Sequence, residues 1–137
     1  MSKISGPLLD RIDIHLDVPA VPFDDLSDRA IRGTTSNTMR STVIDARYLQ
    51  SKRFQNTPQR YNAQMTSRQV RAYCPIDRKC TQMLRHCVEE LGLSARAHDK
   101  ILRVARTIAD MGRCKQIREQ DLAEAIGYRS LDRELWT

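Results

Sequence analysis

The sequence lacks any long apolar run. None of its apolar stretches approaches the roughly 20 residues that a helix needs to cross a bilayer. The opening MSKISGPLLD also lacks the apolar centre of a signal peptide. These two absences predict a cytoplasmic chain with no membrane partner.

Cysteine is scarce, and the pattern of a metal site is absent. The four cysteines are Cys74, Cys80, Cys87 and Cys114, with neither the CxxC pairs of a zinc site nor the density of a disulfide scaffold. Asp13, His15 and Asp17 alternate along one short segment, but this spacing is more typical of a solvated strand edge than of a metal site. We therefore predict four reduced thiols and no bound metal.

Near the start of the chain, residues 12–18 alternate between apolar and polar side chains, which predicts a β-strand. Helices are predicted everywhere downstream, so this strand has no partner in the sequence. We expect residues 1–35 to be a disordered connector that carries the end of a missing core. The chain would then be a fragment of a longer protein.

The rest of the chain has the periodicity of helices. The predicted helices are 37–54 with Ser36 as N-cap, 67–73, 76–91 closed by Gly92, a helix after the N-cap Ser94 that runs to Met111, and 119–126 closed by Gly127. The first helix should bury a stripe of Met39, Val43, Ala46, Leu49 and Phe54. We predict an all-α fold, a small helical bundle over residues 36–137. Its core should contain Met83, Leu84, Cys87, Val88, Ile101, Val104, Ala105, Ile108 and Leu122.

The net charge of +6 is concentrated in one segment. Residues 46–76 carry six basic and no acidic side chains. Four of these cations are candidates for nucleic-acid contact, namely Arg47, Lys52, Arg53 and Arg60, because they alternate with aromatic residues that can stack on bases. A solvated helix face with aromatic side chains in the core explains the same pattern.

Arg96 is the residue least easily explained as ordinary helix surface. With Ser94 as N-cap, Arg96 lies in the first turn of its helix, where the helix dipole disfavours a cation by ~0.3 to 1 kcal/mol. A bound phosphate would compensate, since backbone amides and a guanidinium can converge on one anion. From the residues alone, an ion pair with Asp99 or Asp77 explains Arg96 slightly better.

Three segments of the chain carry a resemblance to a known family. They are SGPLLDRIDIHLDVP (5–19), LSARAHDKILRVARTIADM (93–111) and AIGYRSLDR (125–133). Together they resemble the C-terminal part of the magnesium-chelatase-like AAA+ ATPases, the ComM or YifB family. The first segment is also similar to a stretch of the related MCM helicases.

The resemblance implies a lid of the AAA+ type and a role for two arginines. Arg11 matches an arginine finger that acts in trans on the ATP of a neighbouring subunit. Arg96 matches the sensor-2 arginine, which approaches the γ-phosphate of ATP that is bound with Mg²⁺ in its own subunit. A planar, always charged guanidinium suits the charge that spreads during phosphoryl transfer. The implied partners are the protein's own AAA+ core, neighbouring subunits of a homo-oligomeric ring, expected to be a hexamer, and DNA.

The sequence contains neither a GxxxxGK[ST] phosphate loop nor an acidic Walker B run. We therefore expect this chain alone to be a monomer that neither hydrolyses ATP nor binds it tightly, whereas the intact parent would be an ATPase acting in DNA uptake and recombination. Two alternatives stay open. One is a helical DNA-binding module, since the corner at Gly92 and Leu93 resembles a helix-turn-helix. The other is a docking domain for a non-ATPase partner.

Overall fold

The computed structural model describes residue 8, residues 11–23 and residues 33–129 of the chain. The helices with defined bounds are α1 (Ser36–Arg53), a 3₁₀ turn (Asn62–Gln64), α2 (Ser67–Tyr73), α3 (Arg78–Leu91), α4 (Ala95–Met111) and α5 (Glu119–Gly127). All regular structure in these ranges is helical, which confirms the predicted all-α bundle. No helix in the described ranges combines the length and apolarity that crossing a membrane requires.

Side-chain caps fix where the helices begin. Ser94 accepts a hydrogen bond from the amide of Ala97 at 3.1 Å, as predicted for the start of α4. Two other starts differ from the prediction. Thr35, not Ser36, caps α1. Asp77 accepts from the amide of Cys80 at 2.8 Å, so α3 begins at Arg78 and leaves Ile76 outside the helix.

In the described residues, two positions have left-handed backbone, namely Gly92, as expected at the end of α3, and Arg113 after α4. Gly92 follows α3 with φ 57°, a conformation that glycine adopts without steric cost. The sequence predicts that Gly127 closes the last helix, but Gly127 is the final helical residue, and the C-cap is Tyr128 with φ −72°. Arg113, just after α4, has φ 53°, and its guanidinium pairs with Asp45 on α1. This exposed ion pair connects the turn to α1.

Helix α4 is the centre of the bundle. It packs against α1, the 3₁₀ turn, α2 and α5, while α3 packs against α5. The buried core comprises Phe54, Met65, Val70, Cys74, Cys80, Leu84, Ile101, Leu102, Ala105, Ala109, Ile117, Leu122 and Ala125. Of the predicted core residues, Leu84, Cys87, Ile101, Ala105 and Leu122 are buried, and Met83, Val88, Val104 and Ile108 are partly buried against the same cluster.

The predicted apolar stripe of α1 is wrong for the first half of the helix. Met39 and Val43 are 55% and 50% exposed, whereas Ala46 and Phe54 are buried. The second half of the helix is anchored instead by polar groups, since Gln50 is buried and Arg53 forms a buried ion pair. The apolar side chains at the start of α1 therefore face outward.

Residues 12–18 form no strand in the part of the chain that the structure describes. The alternating pattern is present, but a strand needs a hydrogen-bonding neighbour, and the bundle offers only helices. The segment is irregular and mostly exposed, with His15 as its buried residue. The expected disorder of residues 1–35 in solution stays a prediction, although residues 11–15 make the contacts described below.

Candidate functional site

Arg96 lies in the first turn of α4, the central helix, and is exposed. It lines an open groove of about 930 Å³ between α4 and α2, together with Arg71, Lys100 and Arg103. The first turn of α4 contains no acidic residue. Lys100 is buried and paired with Asp13, so three arginines and the positive end of a helix dipole surround the groove, an arrangement that can attract an anion.

The groove also contains one carboxylate, Asp99. It accepts a hydrogen bond from the hydroxyl of Ser67 at 2.6 Å and lies 3.2 Å from Nδ1 of His98. Burial acts to raise the pKa of Asp99, but the hydrogen bonds from Ser67 and His98 outweigh it and hold the pKa below its ordinary value. The carboxylate is therefore ionised at neutral pH and held by α2, and the groove keeps an excess of positive charge.

The second arginine implied by the family resemblance, Arg11, has an exposed side chain and a bonded backbone. Its amide donates to the carbonyl of Leu8 at 3.0 Å, and its carbonyl accepts from Nζ of Lys100 at 2.7 Å. Lys100 also pairs with the carboxylate of Asp13 at 2.6 Å. Lys100 is one helical turn from Arg96 on α4, so the fold connects the helix of one candidate arginine to the segment of the other.

Two further contacts hold this segment against the end of α5. The guanidinium of Arg129, a residue only 1% exposed, donates to the carbonyl of Ile12. The amide of His15 donates to the carbonyl of Tyr128 at 2.7 Å. Sequence reasoning assigned no role to Lys100, Asp13 or Arg129. The one available signal was that all three lie in the family-like segments, Asp13 in the first, Lys100 in the second and Arg129 in the third.

The candidate nucleic-acid residues do not share one environment. Arg47 stacks over the ring of Tyr61, 4.0 Å from its centroid, and Lys52 lies 4.5 Å from the centroid of Tyr48. Both cations are exposed and line the outer side of α1 or the groove next to it. Arg60 lines the same groove as Arg47.

Arg53 differs from these three, because it belongs to a buried polar cluster. Its two terminal nitrogens bind the carboxylate of Asp110 at 2.6 and 2.7 Å, and Nη1 also donates to Asn62 at 2.7 Å. Arg106 binds the same carboxylate at 3.1 Å and donates to two carbonyls after α4. Arg53 thus stabilises the packing of α1 on α4, and we leave it out of any surface for nucleic acid.

Cys74 and Cys80 are buried and are poor candidates for a nucleophile. None of the four cysteines forms a disulfide, and their reduced state stays a prediction. Burial raises the pKa of Cys74 and of Cys80 to about 11, so both are protonated at neutral pH. Within the described ranges, no three His, Cys, Asp or Glu side chains cluster as metal ligands would, and Asp13 pairs with Lys100 rather than with its neighbours in the sequence.

By fold, the protein is a small helical bundle consistent with a lid-type domain, with a cationic groove at the start of its central helix. Residues 33–129 match the family model of the magnesium chelatase subunit ChlI C-terminal domain. The chain belongs to this family.

Individual relatives agree with this assignment. The chain is 38% identical over 135 residues to the uncharacterized protein YifB of Salmonella typhimurium and to the competence protein ComM of Haemophilus influenzae. A more distant relative, the uncharacterized protein Rv2897c of Mycobacterium tuberculosis, is 28% identical over 129 residues. The matches to YifB and ComM cover 98% of this chain and 26% of each relative, so the chain spans about a quarter of their length. They confirm the resemblance to the ComM and YifB family.

Proposed function

We propose that this chain is the nucleotide-sensing lid of a ComM-like AAA+ ATPase. Arg96 contacts the γ-phosphate of ATP bound with Mg²⁺ in the subunit's own core, and Arg11 reaches the ATP of the next subunit in a homo-oligomeric ring, taken to be a hexamer. The chain itself does not hydrolyse ATP, because the phosphate loop and the acidic metal ligands belong to the core. We place the parent in the cytoplasm.

The observation that carries this proposal is the position of Arg96. It is an exposed guanidinium in the first turn of the central helix, without an acidic residue in that turn, on the wall of a cationic groove. The amides at this helix end and the guanidinium suit a phosphate of the size and charge of a γ-phosphate. Since α4 packs against four other elements, a displacement of its N-terminus by a bound phosphate would also move these elements.

The test is ATP turnover by the full-length parent carrying Arg96→Ala. We expect turnover to fall by ~100-fold or more, as for the removal of a charge partner of the transition state. Arg96→Lys should restore only part of it, because an ammonium cannot make two parallel bonds to phosphate oxygens. Arg85→Ala is the matched control, since Arg85 is an exposed arginine on α3. Unchanged turnover in Arg96→Ala would exclude the sensor role.

Unfolding of the 137-residue chain completes this test. Arg96 is exposed, so Arg96→Ala should change the free energy of unfolding by no more than about 1 kcal/mol. A large loss of stability in Arg96→Ala would instead indicate a structural ion pair.

A second candidate, contact with DNA, is favoured by the charge of residues 46–76, which carry five cations besides the paired Arg53 and no carboxylate. The surface to test is the exposed trio Arg47, Lys52 and Arg60. Binding through phosphates should weaken steeply with salt, and a triple alanine variant should lower the slope of log K against log salt by about 2 to 3. The same affinity for the variant at every salt concentration would exclude this surface.

The third possibility is docking of a non-ATPase partner. Its candidate surface is the first half of α1, where the apolar side chains of Met39, Val43 and Ile44 are exposed. A pull-down with the 137-residue chain as bait tests it, since Thr35 caps α1 and residues 11–13 pair with Lys100. A partner retained by the unchanged bait and lost with Val43→Asp would support docking there.

A further inference from the structure

Lys100 is a buried lysine whose ammonium group binds one short segment, residues 11–13. The residue is 8% exposed, and its Nζ donates to the carbonyl of Arg11 at 2.7 Å and to the carboxylate of Asp13 at 2.6 Å. A buried ammonium is costly unless it is paired and hydrogen-bonded. Residues 11–13 therefore stabilise the buried ammonium of Lys100, and Lys100 in turn holds these residues against α4.

Contacts from the end of α5 hold the other side of the same segment. Arg129 donates to the carbonyl of Ile12, and the carbonyl of Tyr128 accepts from the amide of His15. Residues 11–15 are thus tied to α4 by Lys100 and to the end of α5 by Arg129 and Tyr128. We call these contacts the lid clamp.

We propose that Lys100 is a positioning residue that transmits the nucleotide state sensed by Arg96 to Arg11 of the same subunit. This inference rests on the function proposed above. Arg96 and Lys100 are four residues apart, so they lie on one face of α4 about one turn from each other. A helix moves as a rigid element, and a shift of α4 toward or away from a phosphate displaces Nζ of Lys100. The backbone of Arg11 follows because it is bonded to that nitrogen.

The consequence is directional coupling around the ring. Arg96 contacts ATP bound to its own subunit, and Arg11 of the same subunit contacts ATP bound to the next one. The lid clamp therefore makes the position of Arg11 depend on the nucleotide that its own subunit has bound. Lys100 touches neither phosphate and acts through the position of Arg11.

The physical part of the proposal is tested on the 137-residue chain by hydrogen exchange at the amide of His15. In Lys100→Met the aliphatic stem is kept and the ammonium is lost, so the clamp should loosen and this amide should exchange about tenfold faster. Asp13→Asn is the second variant, because Asp13 has a half-exposed side chain whose change leaves the bundle core untouched, and it should give a smaller increase. Lys79→Met is the control, since Lys79 pairs only loosely with Glu119 at 3.5 Å on the exposed surface. Unaltered exchange in both Lys100→Met and Asp13→Asn would overturn the clamp.

The functional part is tested in the full-length parent by turnover kinetics. Lys100→Met should lower kcat for ATP by about tenfold with KM nearly unchanged, because a displaced finger weakens the transition state and leaves ground-state binding intact. A raised KM at constant kcat would indicate a role in nucleotide binding and would contradict the proposal.

Mixing of variant subunits of the parent then identifies whether Lys100 acts through Arg11 or through Arg96. A subunit with Arg11→Ala still has its own sensor, and one with Arg96→Ala still has its finger, so equal mixtures of these two should recover turnover that neither has alone. If Lys100 acts through Arg11, then Lys100→Met should be complemented by Arg96→Ala subunits and not by Arg11→Ala subunits. The reverse pattern, or complementation by neither, would overturn the proposal.

The same mixtures separate this inference from the proposed function. If Arg11→Ala and Arg96→Ala each leave turnover unchanged, or if their mixture shows no recovery, the sensor and finger assignment has failed. If they complement each other and Lys100→Met behaves like wild type, the assignment stands and the positioning role of Lys100 is excluded.

Discussion

Helices α1 and α4 have almost the same length, 18 and 17 residues, and pack against each other, yet they are built on different principles. Helix α4 is surrounded and buries apolar residues along its whole length, including Ile101, Ala105 and Ala109. Helix α1 packs only through its second half, where Gln50 and Arg53 make polar contacts. Apolar periodicity therefore predicts the buried Ile101 and Ala105 on α4 but misses Leu102 and Ala109, and it misleads on the first half of α1.

The largest expected effect concerns the polar anchor of α1. Asp110→Ala would leave Arg53 and Arg106 without their shared carboxylate in a buried site. We expect a loss of about 3 to 5 kcal/mol in the free energy of unfolding, since breaking a buried pair leaves uncompensated charge. Chemical denaturation measures this loss.

Asp45→Ala is the matched control for that measurement, because Asp45 also connects α1 to the end of α4 through an arginine, but in a far more exposed pair. We expect it to cost less than about 1 kcal/mol. Equal losses for Asp110→Ala and Asp45→Ala would mean that the buried cluster does not anchor α1.

The next effect concerns the apolar centre. Leu84 on α3 and Ile101 on α4 are 3% and 0% exposed. Truncation of either to alanine removes buried methyl groups and leaves a cavity, so each should destabilise by ~2 to 5 kcal/mol. Unfolding midpoints check this, and a change well under about 1 kcal/mol at both sites would contradict the core described above.

A smaller effect should appear at acid pH through the capping box of α5. Asp121 accepts hydrogen bonds from the amide of Arg118 at 2.9 Å and from its guanidinium at 2.7 Å. Burial acts to raise the pKa of Asp121, but these bonds outweigh it, so the pKa is lowered from its ordinary value of 3.8. The resulting stabilisation is complete above the unfolded pKa and is lost as the pH falls through the folded pKa.

The Asp121→Asn variant tests that assignment. Its unfolding free energy should lie about 1 kcal/mol below wild type near neutral pH, as for the loss of a cap. The two should converge as the pH falls from about 5 to about 2, because the wild-type carboxylate becomes protonated there. Curves that stay parallel over this range would show that Asp121 makes no pH-dependent contribution.

The smallest effect is expected at the start of α1. Met39→Ser and Val43→Ser change side chains that are at least half exposed, so each should alter stability by no more than about 0.5 kcal/mol. A larger loss at either position would mean that the N-terminal half of α1 is packed in solution, and it would remove the contrast with α4.

The features that could be predicted from the sequence are those fixed by neighbouring residues. The bounds of α2, the left-handed Gly92 and the cap at Ser94 all depend on a few adjacent positions. The pairing of Arg53 with Asp110 spans 57 positions, and that of Lys100 with Arg11 spans 89. No local period reports which of many charges will meet across such distances, so the polar anchor and the lid clamp emerged only with the fold.

The candidate site divides in the same way. The place of Arg96 in the first turn of α4 followed from the spacing to Ser94, and the fold agrees with it. The family resemblance singled out Arg11 without indicating that its carbonyl binds Lys100. Arg53 looked like its basic neighbours in the sequence, but a buried carboxylate on another helix engages its guanidinium.

The most direct test of the central claim is nucleotide discrimination by the full-length parent, with Arg96→Ala compared to Arg85→Ala. A guanidinium that contacts the γ-phosphate contributes to binding of ATP but not of ADP, and a charge-assisted hydrogen bond is worth about 1.5 to 3 kcal/mol. The Kd for a non-hydrolysable ATP analogue should therefore rise by roughly 10-fold to 100-fold in Arg96→Ala, while the Kd for ADP and both values in Arg85→Ala stay as in wild type. Equal changes for the ATP analogue and ADP, or no change in either, would contradict the assignment of Arg96 as the nucleotide sensor of this lid.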